Sequence, residues 1–174
     1  MKTTALALTL LCAAGAMPSL AQAQEAGATA TLSDKDGNSL GTVTFKETPS
    51  GFVQVMVELA GVPAGAHAFH IHEKGSCDPA EGFKSAGGHY SGGMKHGILT
   101  EGGPHAGDLP NLNAGPDGVV KVEVFTDLIS LDPAGKNPLK DADGSAVVLH
   151  ANPDDLASQP AGEAGGRIAC GVVE

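Results

Sequence analysis

The chain has 174 residues, with 20 acidic and 10 basic side chains and a formal net charge of −10. That length allows one domain with a sizeable core, and that charge argues against nucleic acid and against an anionic lipid surface as partners. No stretch is apolar over the roughly 20 residues a membrane-spanning helix needs, so no membrane span is expected.

The first segment reads as a leader. Lys2 gives a short positive region, Ala5 to Ala14 are apolar but too short to cross a bilayer, and Ala21-Gln22-Ala23 is a small-residue cleavage signal. Residues 1–23 are expected to be a signal peptide, removed near Ala23, and residues 24–174 a single domain beginning at Gln24. Ala14-Gly15-Ala16 is a second such signal. Cys12 would suit a lipidated leader, but Leu11 stands where a small residue is needed. The bacterial character of the leader points to the periplasm, an oxidising compartment. Lys2 is the only charge in the leader, so its removal takes the formal charge from −10 to −11. Cys12 leaves with it. Cys77 and Cys170 remain, either as one bridge or as two free buried thiols.

Beyond the leader, helical periodicity is weak. Gly and Pro number 25 and 11, and turn signals recur at Asp36-Gly37, Pro49-Ser50-Gly51, Pro63-Ala64-Gly65, Asp117-Gly118 and Asp143-Gly144. Between them lie alternating runs predicted as strands: 41–45, 52–59, 119–125 and 146–150. Short strands between regular turns predict an all-β antiparallel sandwich or barrel. Two long stretches break the rhythm, 73–115 and 152–166. Loops of that length in a compact domain are usually functional. No internal repeat and no second domain is visible.

Six of the seven histidines fall in or beside those stretches. His70 and His72 are two apart, so on a strand both rings share one face while Phe69 and Ile71 point into the core. His150 ends a strand-like run and can meet them from a neighbouring strand. Three or four imidazoles in a near-planar set suit Cu(II). His89, His96, His105 and Asp108 offer three nitrogens and a carboxylate oxygen, a donor set that suits a closed tetrahedral Zn(II) site. One histidine shared through both ring nitrogens would complete a four-imidazole copper set. His67, three before His70, points to the opposite face of a regular strand and reads as structural.

These motifs resemble the copper–zinc superoxide dismutases of the bacterial periplasmic type. The resemblance is carried by His67-Ala68-Phe69-His70-Ile71-His72-Glu73, Gly87-Gly88-His89, His96-Gly97, His105-Ala106-Gly107-Asp108-Leu109-Pro110-Asn111, His150 with Asp154-Asp155, and Gly166-Arg167-Ile168-Ala169-Cys170-Gly171. It runs from about Gly61 to Glu174, while residues 24–60 agree only in being β-like. It implies a Greek-key β-barrel or sandwich of about eight antiparallel strands with two long functional loops, and one copper and one zinc ion per subunit. His70, His72 and His150 match copper ligands. His89 matches the imidazolate shared by copper and zinc, and His96, His105 and Asp108 the remaining zinc ligands. Asp154 matches a carboxylate linking His70 to His96, Arg167 the arginine that holds the anionic substrate beside copper, and Cys77 and Cys170 the intramolecular disulfide.

The implied activity is disproportionation of superoxide to oxygen and hydrogen peroxide by Cu(II)/Cu(I) cycling, with His89 taking part in proton transfer. The implied subunit state is monomer or homodimer. Three departures stand out: Ala68 replaces a usual Gly, the His89–His96 segment is short and carries Tyr90-Ser91-Gly92-Gly93, and 156–166 holds no lysine. Lys84 and Lys95 are candidate guides for an anion, with solvated surface lysines as the plainer reading. The main alternative is a non-enzymatic periplasmic copper or zinc binding protein on the same fold. Such a protein should lack a copper ligand or the arginine, and this chain lacks neither. A copper-only dismutase should lack His96, His105 and Asp108, all of which are present. A purely structural sandwich leaves Arg167 and the cysteine pair unexplained.

Overall fold

The computed structural model describes residues 27–174, so the leader motifs and Cys12 lie outside the described residues. The described chain forms eight strands: β1 (Gly27–Asp34), β2 (Ser39–Glu47), β3 (Val53–Leu59), β4 (Gly65–His72), β5 (Asp108–Ala114), β6 (Val120–Thr126), β7 (Ala146–His150) and β8 (Arg167–Val172). Every ladder is antiparallel. The order across the sheet is β5-β4-β7-β8-β1-β2-β3-β6. Its two end strands, β5 and β6, pack side by side and nearly close the barrel. Around that closure the order runs β7-β4-β5-β6, in which β7 returns to lie beside β4, a Greek key.

Alternation explains the first half of the barrel. Ala28, Ala30 and Leu32 of β1, Val43 and Phe45 of β2, and Val53, Val55, Val57 and Leu59 of β3 point inward and are buried. The residues between them are mostly solvated, the pattern of a sheet with one dry face. β4 and β7 differ, because both of their faces are buried. Phe69, Ile71, Val147 and Leu149 join the barrel core, as the two-residue period requires. On the outer face Ala146 and Val148 pack with Phe83, Ala86 and Cys170 in a second, smaller cluster. The connection 73–107 provides that cover, folding over β4 and β7 with two short 3-10 turns at Pro79–Glu81 and Lys84–Ala86. His70 and His72 therefore sit on an outer face that is dry, at 0% exposure.

Two departures from the predicted elements have local causes. β1 lies outside the predicted strands, since its inward residues include two alanines, weak β-formers. β5 lies inside the stretch expected to be a loop, and its sequence Asp-Leu-Pro-Asn-Leu-Asn-Ala runs against strand propensity. It forms because it hydrogen-bonds to β4 on one side only, where Pro110 is tolerated. A third long connection, 127–145, also exists; it places Ile129, Leu131 and Leu139 in the barrel core rather than carrying ligand candidates.

Cys77 in the covering loop is bonded to Cys170 on the outer face of β8, with Cα atoms 5.7 Å apart across a sequence separation of 93. Closing so long a loop is worth about 4–5 kcal/mol in the chain-entropy model. The double variant Cys77→Ser/Cys170→Ser should lose about 2–5 kcal/mol of unfolding free energy, read from the shift of its urea midpoint.

Candidate metal centre

Three elements bring the histidines together. β4 supplies His70 and His72, β7 supplies His150, and the covering loop supplies His89, His96 and His105. Asp108 stands at the first position of β5, so one member of the second set is a strand residue rather than part of a single loop. His89 forms an isolated bridge with His72, which locks that part of the loop onto β4. Two groups of ligand atoms result, each with its atoms within 4.8 Å of one another: His70, His72, His89 and His150, and His70, His89, His96 and Asp108.

The hydrogen bonds decide which nitrogen of each ring is left over. His70 donates Nε2–H to Asp154 Oδ2 at 2.8 Å, leaving Nδ1 buried with no partner. His72 donates Nδ1–H to the Gly87 carbonyl at 3.0 Å, leaving Nε2, which faces His150 Nε2 at 3.4 Å. His89 Nε2 is likewise buried without a partner, while its Nδ1 lies 3.1 Å from Asp108 Oδ1. His70 Nδ1, His72 Nε2, His150 Nε2 and His89 Nε2 thus form one set of four imidazole nitrogens.

The second set gathers around a single oxygen. His89 Nδ1 and His96 Nδ1 each lie 3.1 Å from Asp108 Oδ1, and His105 Nδ1 lies 3.3 Å from it. His96 donates Nε2–H to Asp154 Oδ1 at 3.0 Å, so in the neutral ring its Nδ1 carries a lone pair. A lone pair aimed at an anionic oxygen at that distance is satisfied by a proton or by a metal cation between them. Ligands about 2.0–2.2 Å from one tetrahedral ion are separated by about 3.3–3.6 Å, close to the spacings here. His70 falls within the compact group because its ring lies 3.9 Å from that of His89, whereas His105 stands at the rim, 5.4 and 5.5 Å from the His96 and His89 rings. His70 Nε2 is held by Asp154, whereas His105 Nδ1, like those of His89 and His96, lies on Asp108 Oδ1.

The electrostatics suit cations. Burial pushes His72 well below its ordinary value, reinforced by His89 and Arg167. Burial, with His70 and His89 nearby, takes His150 down to about 3. Both rings stay neutral at pH 7, the form that binds metal. Burial alone would raise the two carboxyls, but hydrogen bonds outweigh it. Those from His89 and the Gly97 N–H hold Asp108 well below the usual range, and those from His70, Leu156 and His96 hold Asp154 at about 2. The donor set therefore fits a copper ion among four imidazoles and a zinc ion among three imidazoles and a carboxylate.

Arg167 reaches the same face through a bulge. Leu149 pairs with Ala169 but His150 pairs with Arg167, so Ile168 is an extra residue on β8. The extra residue turns Arg167 to the side occupied by His150 and Cys170. Its Nη1 donates to the Phe83 carbonyl and its Nη2 to the Gly87 carbonyl, both at 2.6 Å. Gly87 is also the acceptor for His72, which couples the arginine to the first set.

His67 belongs to neither group; its Nδ1 and Nε2 lie 2.8 Å from the His150 and Pro63 carbonyls. Ala68 is fully buried, with its N–H on the Asn152 carbonyl. The short His89–His96 segment turns through Gly92 and Gly93, both at positive φ, and still brings the two rings to 5.1 Å. Lys84 and Lys95 are exposed. The motif reading gave no role to Asn111, whose side-chain amide bonds both the N–H and the carbonyl of Asp154 at 2.8 and 2.9 Å. Nothing in the sequence marked Gln159 or Gly162, because they act through backbone and through lack of a side chain.

The fold and site define a Greek-key β-barrel with a two-ion histidine centre under its covering loops. The copper/zinc superoxide dismutase family profile matches residues 39–173. The chain is 47% identical over 150 residues to a Cu-Zn superoxide dismutase of Caulobacter vibrioides, spanning 84% of this chain and 85% of that protein. It is 45% identical over 154 residues to a Cu-Zn superoxide dismutase of Aquifex aeolicus, spanning 87% and 90%. Among solved structures, a SOD-like protein from Bacillus subtilis superposes with a TM-score of 0.78 at 37% identity, covering 83% of this chain and 96% of that one. The chain belongs to the copper/zinc superoxide dismutase family.

Gly162 tests the Asp154 link. It has φ +64, and a Cβ there would collide with Asp154 Oδ1 and lie 2.7 Å from His96 Nε2. Gly162→Ala should break the Asp154–His96 bond and weaken Zn(II) binding about tenfold or more, measured by chelator competition.

Proposed function

We propose that this chain is a copper–zinc superoxide dismutase in which each residue matched by sequence has the role the resemblance implies. Copper would be held by His70, His72, His150 and His89, and zinc by His89, His96, His105 and Asp108. The observation that carries this reading is the pair of buried ring nitrogens without partners, His70 Nδ1 and His89 Nε2, both in the first set. A buried polar atom left unsatisfied is destabilising by about 1–3 kcal/mol, and a bound ion removes that penalty.

When bound, copper supplies the one-electron chemistry by passing between Cu(II) and Cu(I), while zinc, which has no redox chemistry, supplies fixed positive charge. Two superoxides and two protons become one oxygen and one hydrogen peroxide. Arg167 holds the anion beside His72 and His150, with its guanidinium oriented by the Phe83 and Gly87 carbonyls. His89 Nε2, when not engaged as a copper ligand, is the atom at which a proton would be held and delivered to the peroxide being formed. Asp154 keeps the His70 and His96 rings in the tautomers that present Nδ1. The 73–107 loop and the disulfide keep water from all but the substrate side.

We also propose that residues 1–23 are a signal peptide and that residues 24–174 act as one exported periplasmic domain. The leader composition supports this reading, and N-terminal sequencing of the secreted protein tests it.

A metal-binding protein without turnover is the second reading, prompted by the likeness to the SOD-like protein from Bacillus subtilis. One assay separates the two: superoxide consumption by the purified protein, with copper and zinc quantified on the same sample. One copper and one zinc per chain with fast turnover supports the dismutase. Both metals bound without turnover supports the carrier.

Arg167→Ala should keep both metals and lower kcat/KM roughly tenfold, equivalent to about 1.4 kcal/mol of lost interaction with the anion. An unchanged rate at full metal occupancy would remove Arg167 from the mechanism.

A further inference from the structure

His96 lies in the least supported part of the centre. It follows the Gly92-Gly93 turn and precedes Gly97, at φ +90, so no strand holds its backbone. Yet its side chain is fully buried and must present Nδ1 to Asp108 and Nε2 to Asp154 at once. Its main chain is gripped by one side-chain amide. The His96 N–H donates to Gln159 Oε1 at 3.0 Å, and Gln159 Nε2 donates to the His96 carbonyl at 2.7 Å. The amide thereby closes a ring with the residue, the way a neighbouring strand would. Gln159 Nε2 also donates to the Ala157 carbonyl at 2.9 Å, which orients the amide within its own loop.

Asn111 makes the reciprocal contact. From β5, its amide bonds the Asp154 N–H and carbonyl at 2.8 and 2.9 Å. The two partners of the Asp154–His96 bond are therefore each fixed at the backbone, one by Asn111 and one by Gln159. Gln159 and Asp154 come from the same β7–β8 connection, so that loop holds His96 by its main chain and its ring together.

We propose that Gln159 is a positioning residue for zinc: it sets the His96 backbone so that the imidazole meets Asp108 and Asp154 simultaneously, and it replaces the support that the short, glycine-bearing His89–His96 segment lacks. The inference rests on the reading of His89, His96, His105 and Asp108 as the zinc set. Outer partners of metal ligands commonly change affinity 10- to 100-fold, and an exposed amide acting through backbone belongs at the lower end.

The test uses the fully metal-loaded protein and Gln159→Ala and Gln159→Glu variants. Gln159→Glu keeps the size and the acceptor but loses the donor to the His96 carbonyl. Zinc release to a chelator should be about tenfold faster in both, and the visible spectrum of Co(II) placed in the zinc site should shift. Each change is then repeated with Asp154→Asn. If Gln159 acts through the Asp154–His96 bond, its effect should shrink to under twofold there, because coupled residues are not additive. Thr100→Val, which removes a hydroxyl 3.5 Å from the same amide, serves as the control and should leave zinc release unchanged. Wild-type zinc binding with unaltered release and Co(II) spectra in both Gln159 variants would overturn the proposal alone. A full additive effect in the Asp154→Asn background would also overturn it, leaving general loop stability as the cause. A wild-type protein that takes up no zinc would overturn the zinc assignment and the clamp with it.

Discussion

Asp154 carries one negative charge between two imidazole N–H groups, His70 Nε2 at 2.8 Å and His96 Nε2 at 3.0 Å. Each bond fixes which nitrogen of its ring keeps a lone pair, and the two rings belong to different ion sets. A neutral acceptor would bind the same protons less strongly. A carboxylate makes charge-assisted bonds about twice as strong and makes both ring ligands more basic. Burying that charge is unfavourable unless its oxygens are satisfied. Here Oδ1 also accepts from the Leu156 N–H at 2.6 Å, and Asn111 fixes the backbone behind it. Gly162 lies against the pair because a methyl group would occupy the space of the carboxylate oxygen. The exposed-looking β7–β8 connection is thus shaped by the needs of one buried group.

The division of labour between barrel and loops follows from the same constraint. One side of the molecule is a sheet with a dry interior and a wet exterior, and it needs no cover. The other side places His70, His72 and His150 on the exterior of β4 and β7, where neutral imidazoles would otherwise meet water. The 73–107 connection seals that face with Phe83 and Ala86 and is tied down by the Cys77–Cys170 bond. The histidines on strands are positioned by the barrel's rigidity. Those on the loop, His89, His96 and His105, depend on individual hydrogen bonds and on the bridge between His89 and His72. Sensitivity to small changes should therefore concentrate on the loop side.

How much of this was legible in the sequence differs by kind of interaction. The face of His70 and His72 was readable because a strand alternates, and Phe69 and Ile71 fell into the core as that period demands. The ligand types were readable because histidine and aspartate announce metal chemistry through the side chain itself. β5 was hidden because a one-sided edge pairing tolerates Pro110 and asparagines that a central strand would not. The turning of Arg167 toward the site was hidden because a one-residue bulge cannot be seen in a short run such as Arg-Ile-Ala-Cys. Asn111 lies within a motif that does not signal its role, and no pattern in the sequence marks Gln159. Both bond main-chain atoms, which every residue offers and no spacing reveals.

The remaining tension is between a strongly acidic chain and an anionic substrate. A formal charge of −10 repels superoxide at long range, although salt screens exposed charges beyond about 8–10 Å. Attraction must then arise close to the site, where water is scarce and a single charge counts for more. In the proposed mechanism Arg167 supplies that charge. The Phe83 and Gly87 carbonyls that orient it are neutral, so they fix the guanidinium without cancelling its charge, as a carboxylate partner would. They also use only two of its five N–H donors, leaving the others to meet an anion. Because Gly87 is shared with His72, the position of the arginine and the tautomer of a copper-set imidazole are set by one carbonyl. Under the proposed roles, substrate capture and ligand geometry are adjusted together through that carbonyl, which is what a reaction confined to this short range requires.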